Sequence, residues 1–145
     1  MALLAVLVGA VGFAPRASAQ PAAYTGLVVV VGGIHLDRSI SPAVLTPRGE
    51  VVYGRGWWKP GQLNLDVAEK YGIVEYAPSL TAVRRAGAHP LVVRAIGVSG
   101  PAQSTFKTDV VVSERDALRI REANARYRFL QHMHVSLVSA PLAAY

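Results

Sequence analysis

The feature that most constrains the fold is an unbroken run of apolar, mostly β-branched residues near the N-terminus. Residues 26–31 read GLVVVV. Such a run is typical of a strand that is buried on both faces, because a half-exposed strand alternates apolar and polar residues. Gly32 and Gly33 follow at once and permit a positive φ or a close backbone approach. We therefore expect a central strand at residues 26–31, covered on both sides.

Turn and cap residues predict the other elements. Residues 44–45 and 51–53 flank Pro47 and Gly49 at turn positions, which indicates a β-hairpin. Ser113 and Asp116 resemble a capping box that opens the clearest helix, at residues 113–127. The remaining predicted elements are a helix at 65–71 between Asn64 and Gly72, a strand at 73–76, a helix at 78–86 ending at Gly87, and strands at 91–98 and 106–112.

The last predicted strand, at residues 133–138, has an alternating pattern. Met133, Val135 and Leu137 alternate with His134 and Ser136, which indicates one apolar and one solvated face. A half-buried strand near a sheet edge offers a backbone ladder to which another chain can add. We therefore predict a partner-binding role for His134 and Ser136, and a homo-oligomer formed through this strand or through the loop that carries Trp57 and Trp58.

The order of elements predicts the fold class. Strands alternate with helices along 145 residues, a length that favours a single domain and can bury a core without disulfides. Hydrophobic residues make up 52% of the chain and charged residues 17%, a composition typical of globular proteins. We expect one compact α/β domain, an α+β sandwich in which about three helices pack on a mixed β-sheet.

The N-terminus predicts export. Residues 1–14 carry no charged side chain, and Ala17-Ser18-Ala19 supplies small residues where a signal peptidase cleaves. We therefore expect a signal peptide at residues 1–19, a single envelope domain at residues 20–145, and a periplasmic or secreted protein with no transmembrane span after cleavage. The alternative is a buried N-terminal helix. The chain has no cysteine, which excludes disulfides, thiolate metal sites and a lipid-modified N-terminal cysteine.

The charge balance favours anionic neighbours. The sequence has 15 Lys and Arg against 9 Asp and Glu, a net charge of +6. A cationic surface attracts lipid headgroups, cell-wall polymers or nucleic acid, although it also occurs as an ordinary solvated surface. Nucleic acid is an improbable partner for an exported protein. The arginines of the helix at 113–127 alternate with acidic residues, which indicates a solvated, ion-paired helix face.

Five sequence phrases resemble a known family. They are YTGLV at residues 24–28, SPAVL at 41–45, GEVVYG at 49–54, AGAHPLVV at 86–93 and TDVVVS at 108–113. Together they resemble the core of small bacterial envelope proteins related to flagellar-assembly lipoproteins of the FlgP type. The resemblance spans about residues 24–138 and implies an export signal, an α/β domain, and a structural or assembly role in the envelope, including at the flagellum. It implies no catalytic residues. The lipidation cysteine of that family is missing here.

The candidates for chemistry are few. His132 and His134 have the spacing of neighbours on one strand face, and His35 and Asp37 have the same spacing, so two pairs could in principle supply four metal ligands. The sequence has no G-x-S-x-G nucleophile elbow, and no nucleophile pairs with a base in sequence. We therefore expect no enzyme activity, no cofactor and no metal.

The loop with Trp57, Trp58 and Lys59 is the most informative polar segment. Exposed aromatic rings beside a cation can stack on sugar rings or lie at a membrane interface. The alternative, which we favour, is that both rings close the end of the core. The sequence thus predicts an exported, non-enzymatic envelope protein with a structural or assembly role, whose partner is another envelope protein, a second copy, or an anionic or glycan surface. The alternatives are a small hydrolase or metal-dependent enzyme, and a glycan- or lipid-binding module that uses this loop.

Overall fold

The computed structural model describes residues 23–139, which contain eight strands and two α-helices. The predicted signal peptide and the last six residues lie outside this range. The strands are β1 Gly26–Val30, β2 Ala43–Leu45, β3 Val51–Gly54, β4 Glu75–Ala77, β5 Pro90–Arg94, β6 Gly97–Ser99, β7 Asp109–Val111 and β8 Val135–Val138. The helices are α1 Leu65–Tyr71 and α2 Glu114–Tyr127, with one 3₁₀ turn at Leu80–Ala82.

The strands form two four-stranded sheets. The first has the order β4-β8-β1-β5, and all of its neighbours are parallel. The second has the order β3-β2-β7-β6 and is mixed, since only β2 and β7 are parallel. The chain passes from one sheet to the other between β5 and β6: the Ala95 amide donates to Val30 of the first sheet, and the Ile96 amide donates to Val111 of the second. The predicted single strand at 91–98 is therefore two strands.

The compact α/β fold class is confirmed, and so is the central strand. Every residue of β1 is buried, and β1 lies between β8 and β5. One face of the parallel sheet, with Leu27 and Val29, joins the main core, which also contains residues of the mixed sheet and of α2. The other face, with Val28 and Val30, packs in a smaller cluster with Ala86. This double burial confirms the prediction of a strand covered on both sides.

The predicted β2–β3 hairpin and the predicted starts of the helices at 65–71 and 113–127 are also confirmed. β2 and β3 pair antiparallel, and Gly49 in the turn has a φ of +83°. Asn64 Oδ1 accepts from the Val67 amide at 3.2 Å, and Ser113 Oγ accepts from the Asp116 amide at 3.0 Å, so both side chains satisfy an amide that the first turn of a helix leaves free.

The predicted helix at residues 78–86 is wrong. Only the 3₁₀ turn Leu80–Ala82 forms there, because the segment is held by side chains from elsewhere. Both carboxylate oxygens of Glu75 accept from backbone amides, those of Arg84 and Arg85, at 2.9–3.3 Å. Helix-type hydrogen bonds would compete for the same amides. About three helices were expected, and residues 23–139 contain two.

Gly87 is therefore not a helix cap, although its φ is +77°. The Thr25 hydroxyl donates to the Ala86 carbonyl at 2.7 Å and accepts from the His89 amide at 3.0 Å. A Cβ at Gly87 would lie 2.6 Å from that hydroxyl oxygen. The glycine is thus required by a tertiary contact to the residue before β1.

Candidate functional site

The final strand does not offer the partner surface that its alternation predicts. β8 lies between β4 and β1, so its backbone ladder is fully used inside the parallel sheet. All four of its residues are buried, including Ser136, whose hydroxyl donates to Glu75 Oε1 at 2.9 Å. A polar side chain on a strand indicates solvent only when no buried acceptor is available. The predicted solvated face and the predicted edge position of this strand are wrong.

His134 lies just before β8 and is exposed, and His132 precedes it in a turn. The two rings are 5.7 Å apart between centroids. They do not share a strand face, as their spacing predicted, because the strand begins at Val135. Ser136 and His134 thus do not form a common surface.

The second histidine pair is local. His35 Nε2 lies 2.9 Å from Asp37 Oδ1, and the Lys107 amide donates to Asp37 Oδ2 at 2.8 Å. The hydrogen bond from Lys107, followed by the one from His35, lowers the pKa of the Asp37 carboxyl. Among residues 23–139, no three or more His, Cys, Asp or Glu side chains gather in a way that could hold a metal ion.

The loop after β3 places its two tryptophans on the end of the core. Trp58 packs on Tyr53 at 5.1 Å between ring centroids, and Trp57 packs on the same ring at 5.7 Å. Tyr53 is fully buried and donates its hydroxyl to the Ile73 carbonyl at 2.6 Å, and burial raises its pKa. Both indoles are half-buried. Each ring therefore closes the core on one side, as the favoured interpretation predicts, and meets solvent on the other.

An ion pair between a buried carboxylate and a partly exposed arginine fixes the start of this loop. Asp109 is 1% exposed, and its Oδ2 accepts from Arg55 Nη2 at 2.8 Å. Asp109 Oδ1 also accepts from the Ala43 amide at 3.0 Å, which links β7 to β2. Gly54, just before Arg55, has a φ of +107°, and a Cβ there would lie 2.2 Å from the Pro42 carbonyl oxygen. The two tryptophans thus stand on a rigid base, which suits a preformed binding site.

The two tryptophans form one wall of a cleft of about 510 Å³, here called the aromatic cleft. The rest of the lining comes from the same loop and from the segment between α2 and β8. The lining residues are Trp57, Trp58, Lys59, Gln62, Arg128 and Gln131. Only the first three were singled out from the sequence. The other three were missed because they are distant in sequence from the loop or lack a motif.

Two buried polar atoms of the aromatic cleft have no hydrogen-bond partner among the described residues, Trp58 Nε1 and Gln131 Oε1. Buried donors and acceptors are nearly always paired, because an unpaired one loses its hydration without replacement. The two atoms belong to side chains that line the cleft. Both atoms have almost no solvent access, so either would reach a bound molecule only after its side chain turns toward the cleft.

The charged residues that line the aromatic cleft are both cationic, Lys59 and Arg128. Within residues 23–139 neither takes part in an ion pair. Arg128 also has left-handed backbone geometry, with φ +55° and ψ +30°, at the end of α2. Its amide donates to Asn124 O, and Asn124 Oδ1 accepts from the Leu130 amide at 2.9 Å, so this turn is tightly held.

A second cleft, of about 340 Å³, lies on the other side of Trp58. It shares Trp58 and Lys59 with the aromatic cleft, and its remaining lining is largely apolar, including Leu63, Leu65 and Ile73. Leu65 belongs to α1, a helix with no buried residue. The loop therefore separates a polar cleft from an apolar one. No helix within residues 23–139 has the length and apolarity to cross a membrane.

Comparison with known families gives one assignment. The family model described as Treponema pallidum Tp0624, second domain, matches residues 26–141. A search of curated proteins gave no match. The matched region contains every strand and helix described above. The chain therefore belongs to the family of the second domain of Treponema pallidum Tp0624. The resemblance to flagellar-assembly lipoproteins stays a prediction.

Proposed function

We propose that this member of the Tp0624 second-domain family is a non-enzymatic domain of the bacterial cell envelope that holds another envelope component in the aromatic cleft. The observation that carries the proposal is the cleft itself. It combines two half-buried indoles, two cations and two buried polar atoms on a rigid base. Among residues 23–139 the cations have no ion-pair partner and the polar atoms have no hydrogen-bond partner. Binding sites typically have such a concave, preformed surface with a few convergent polar groups.

The proposal places partner binding in the loop and not in the final strand. In the sequence both segments were candidates, the final strand through His134 and Ser136. The closed position of β8 removes strand addition at that point, so an assembly role has to use another surface. A second copy of the chain remains one candidate occupant, which light scattering at high micromolar concentration tests directly.

The experiment is co-sedimentation of the purified protein with envelope fragments from the producing bacterium. We expect binding that falls steeply in Lys59→Glu, because the substitution reverses a free charge at the mouth of the cleft. Arg115→Glu is the matched control: it makes the same charge change on an exposed residue outside the cleft. Equal losses in the two variants would assign the binding to general surface charge and contradict the proposal.

The proposed localisation outside the cytoplasm is based on the signal-like residues 1–19 and has its own test. N-terminal sequencing of protein secreted by the native host should begin near Gln20, after Ala17-Ser18-Ala19. Soluble, folded protein that retains Met1 would contradict export by cleavage of this segment.

A further inference from the structure

We propose that the ligand of the aromatic cleft is a saccharide that carries carboxylate groups. The inference rests on the proposed function, which requires only that the cleft binds an envelope component, and adds the chemical class of that component. Three properties of the cleft lead to it: the arrangement of the indoles, the unpaired polar atoms and the sign of the charge.

The indoles can hold one sugar ring. Trp57 and Trp58 are 5.3 Å apart between centroids and nearly perpendicular, at 85°. Two perpendicular rings cannot form one flat platform for several bases or rings, but they form a corner that accommodates a single pyranose. The C–H face of a pyranose packs against an indole face, while the rim of the sugar presents hydroxyl groups. The corner is held in place because both rings pack on Tyr53.

The unpaired polar atoms suit hydroxyl groups. Trp58 Nε1 can only donate, and Gln131 Oε1 can only accept. A hydroxyl group does both, so neighbouring hydroxyls of one sugar can pair with both atoms once the side chains of Trp58 and Gln131 turn them toward the cleft. Gln62 adds an exposed amide at the rim. An acyl chain would leave both buried atoms unpaired, which argues against a lipid tail in this cleft.

The charge of the cleft favours an anion. Lys59 and Arg128 are exposed and free of ion pairs within the described chain, and no acidic side chain lines the cleft. A guanidinium matches the planar geometry of a carboxylate and can bind it through two parallel hydrogen bonds. A neutral sugar would use the ring and hydroxyl sites and leave both cations unused.

The backbone of Arg128 supports its role as a ligand-binding residue. The left-handed position after a helix is usually glycine, because a Cβ there approaches the backbone too closely. This chain holds arginine in that conformation, at a cost in stability, and its side chain lines the cleft. Residues kept in such a conformation are often functional. The substitution Arg128→Gly should therefore stabilise the fold and weaken binding, two effects of opposite sign.

The test uses intrinsic fluorescence, since Trp57 and Trp58 are the two tryptophans of the sequence and both line the cleft. The probes are tetragalacturonate and the same tetrasaccharide with its carboxyl groups reduced to alcohols. We expect tetragalacturonate to change the emission and to bind at least tenfold more tightly than the reduced form at low salt, with the difference shrinking as salt rises. Equal affinity for the two probes would overturn the role of the carboxylates.

Variants distinguish a built site from general attraction. Arg128→Gly should bind tetragalacturonate at least tenfold more weakly and melt at a higher temperature. Gln103→Gly is the matched control: Gln103 also has a positive φ, +64°, but lies outside the cleft, so its variant should keep the affinity. Lys59→Gln, on an exposed side chain, should weaken binding without affecting the fold. Unchanged affinity in both Arg128→Gly and Lys59→Gln would overturn the proposal.

The outcomes separate this inference from the proposed function. Envelope co-sedimentation that depends on Lys59, combined with no response to tetragalacturonate, would keep the proposed function and reject the acidic saccharide. Phosphatidylglycerol vesicles that shift the emission when tetragalacturonate does not would assign the cleft to lipid headgroups and reject the inference. Binding of tetragalacturonate without co-sedimentation would support the ligand class and contradict the envelope role.

Discussion

The final strand and the tryptophan loop both mix polar and apolar residues, and the sequence predicts that both bind a partner. In the structure the strand is buried inside a sheet, whereas the loop is partly exposed. β8 is enclosed by β4 and β1, and its serine is satisfied inside the protein by Glu75. The loop lies at the end of the core. Its two indoles are half-buried, and two buried polar atoms of the cleft residues have no hydrogen-bond partner within residues 23–139. The difference teaches that polar residues mark a binding surface only where the fold leaves them without a partner.

The comparison predicts that substitutions in β8 affect folding, whereas substitutions in the loop affect binding. The largest effect is expected for Leu137→Ala. Leu137 is 1% exposed in a central strand, so the truncation should cost about 2–5 kcal/mol of unfolding free energy. Urea denaturation measures it. A cost below that of surface substitutions would mean that β8 is not enclosed, and the comparison would fail.

Glu75 is the acid that accepts the hydrogen bond from Ser136 of β8. Burial raises the pKa of Glu75, but hydrogen bonds from the Arg84 amide, the Ser136 hydroxyl and the Arg85 amide lower it more, so the net pKa lies below the ordinary value. A lowered folded-state pKa means that the carboxylate stabilises the fold above its unfolded pKa, and that this contribution is lost as the pH falls through the folded pKa.

Glu75→Gln should therefore cost roughly 1–3 kcal/mol at pH 7, since hydrogen bonds to a charged acceptor are replaced by weaker ones. The difference from the unsubstituted protein should shrink as the pH falls below the ordinary pKa of a glutamate. Urea midpoints measured at a series of pH values check both statements. A difference that stays constant with pH would show that the charge of Glu75 contributes nothing.

The two helices extend the comparison. α2 buries Ala117 and Ile120, whereas no residue of α1, beside the loop, is buried. Ser113→Ala removes the cap of a helix that is part of the core, so it should cost about 0.5–2 kcal/mol of global stability. Asn64→Ala removes an equivalent cap from α1 and should mainly speed local hydrogen exchange there. Equal global costs would show that α1 unfolds together with the core.

The sequence was sufficient where one local signal decided the structure. The apolar run of β1, the Pro47–Gly49 turn, and the caps Asn64 and Ser113 were all read correctly because each acts over a few residues. The errors lie where a distant residue decides. Glu75 accepts hydrogen bonds from two backbone amides that a helix at 78–86 would use, and from the buried Ser136 hydroxyl. These hydrogen bonds span up to 61 positions in the sequence. No local pattern carries that information.

The candidate site shows the same limit. Trp57, Trp58 and Lys59 are adjacent in sequence and were found from their composition. Arg128 and Gln131 join them only because α2 ends beside the loop. A signal for Arg128 was present, since a helix has to end before the next strand and the residue at its end is commonly left-handed. That signal predicts a turn, however, and not which cleft the turn lines.

The smallest predicted effect is that of Trp58→Phe, which tests whether the indole nitrogen of Trp58 has a hydrogen-bond partner. Trp58→Phe keeps a ring on Tyr53 but removes Nε1, so the lost packing is opposed by relief of an unpaired buried donor. The net change should stay within about 1 kcal/mol, from a cavity term and a desolvation term of opposite sign.

Trp57→Phe is the matched control. It shrinks a ring of the same size in the same loop, and its own nitrogen is not among the unpaired buried atoms. Trp57→Phe should therefore be the more destabilising of the two in urea denaturation. If Trp58→Phe were the costlier change, the indole nitrogen of Trp58 would have a hydrogen-bond partner in the folded protein. The polar atoms of the aromatic cleft would then be satisfied internally, as Ser136 of β8 is.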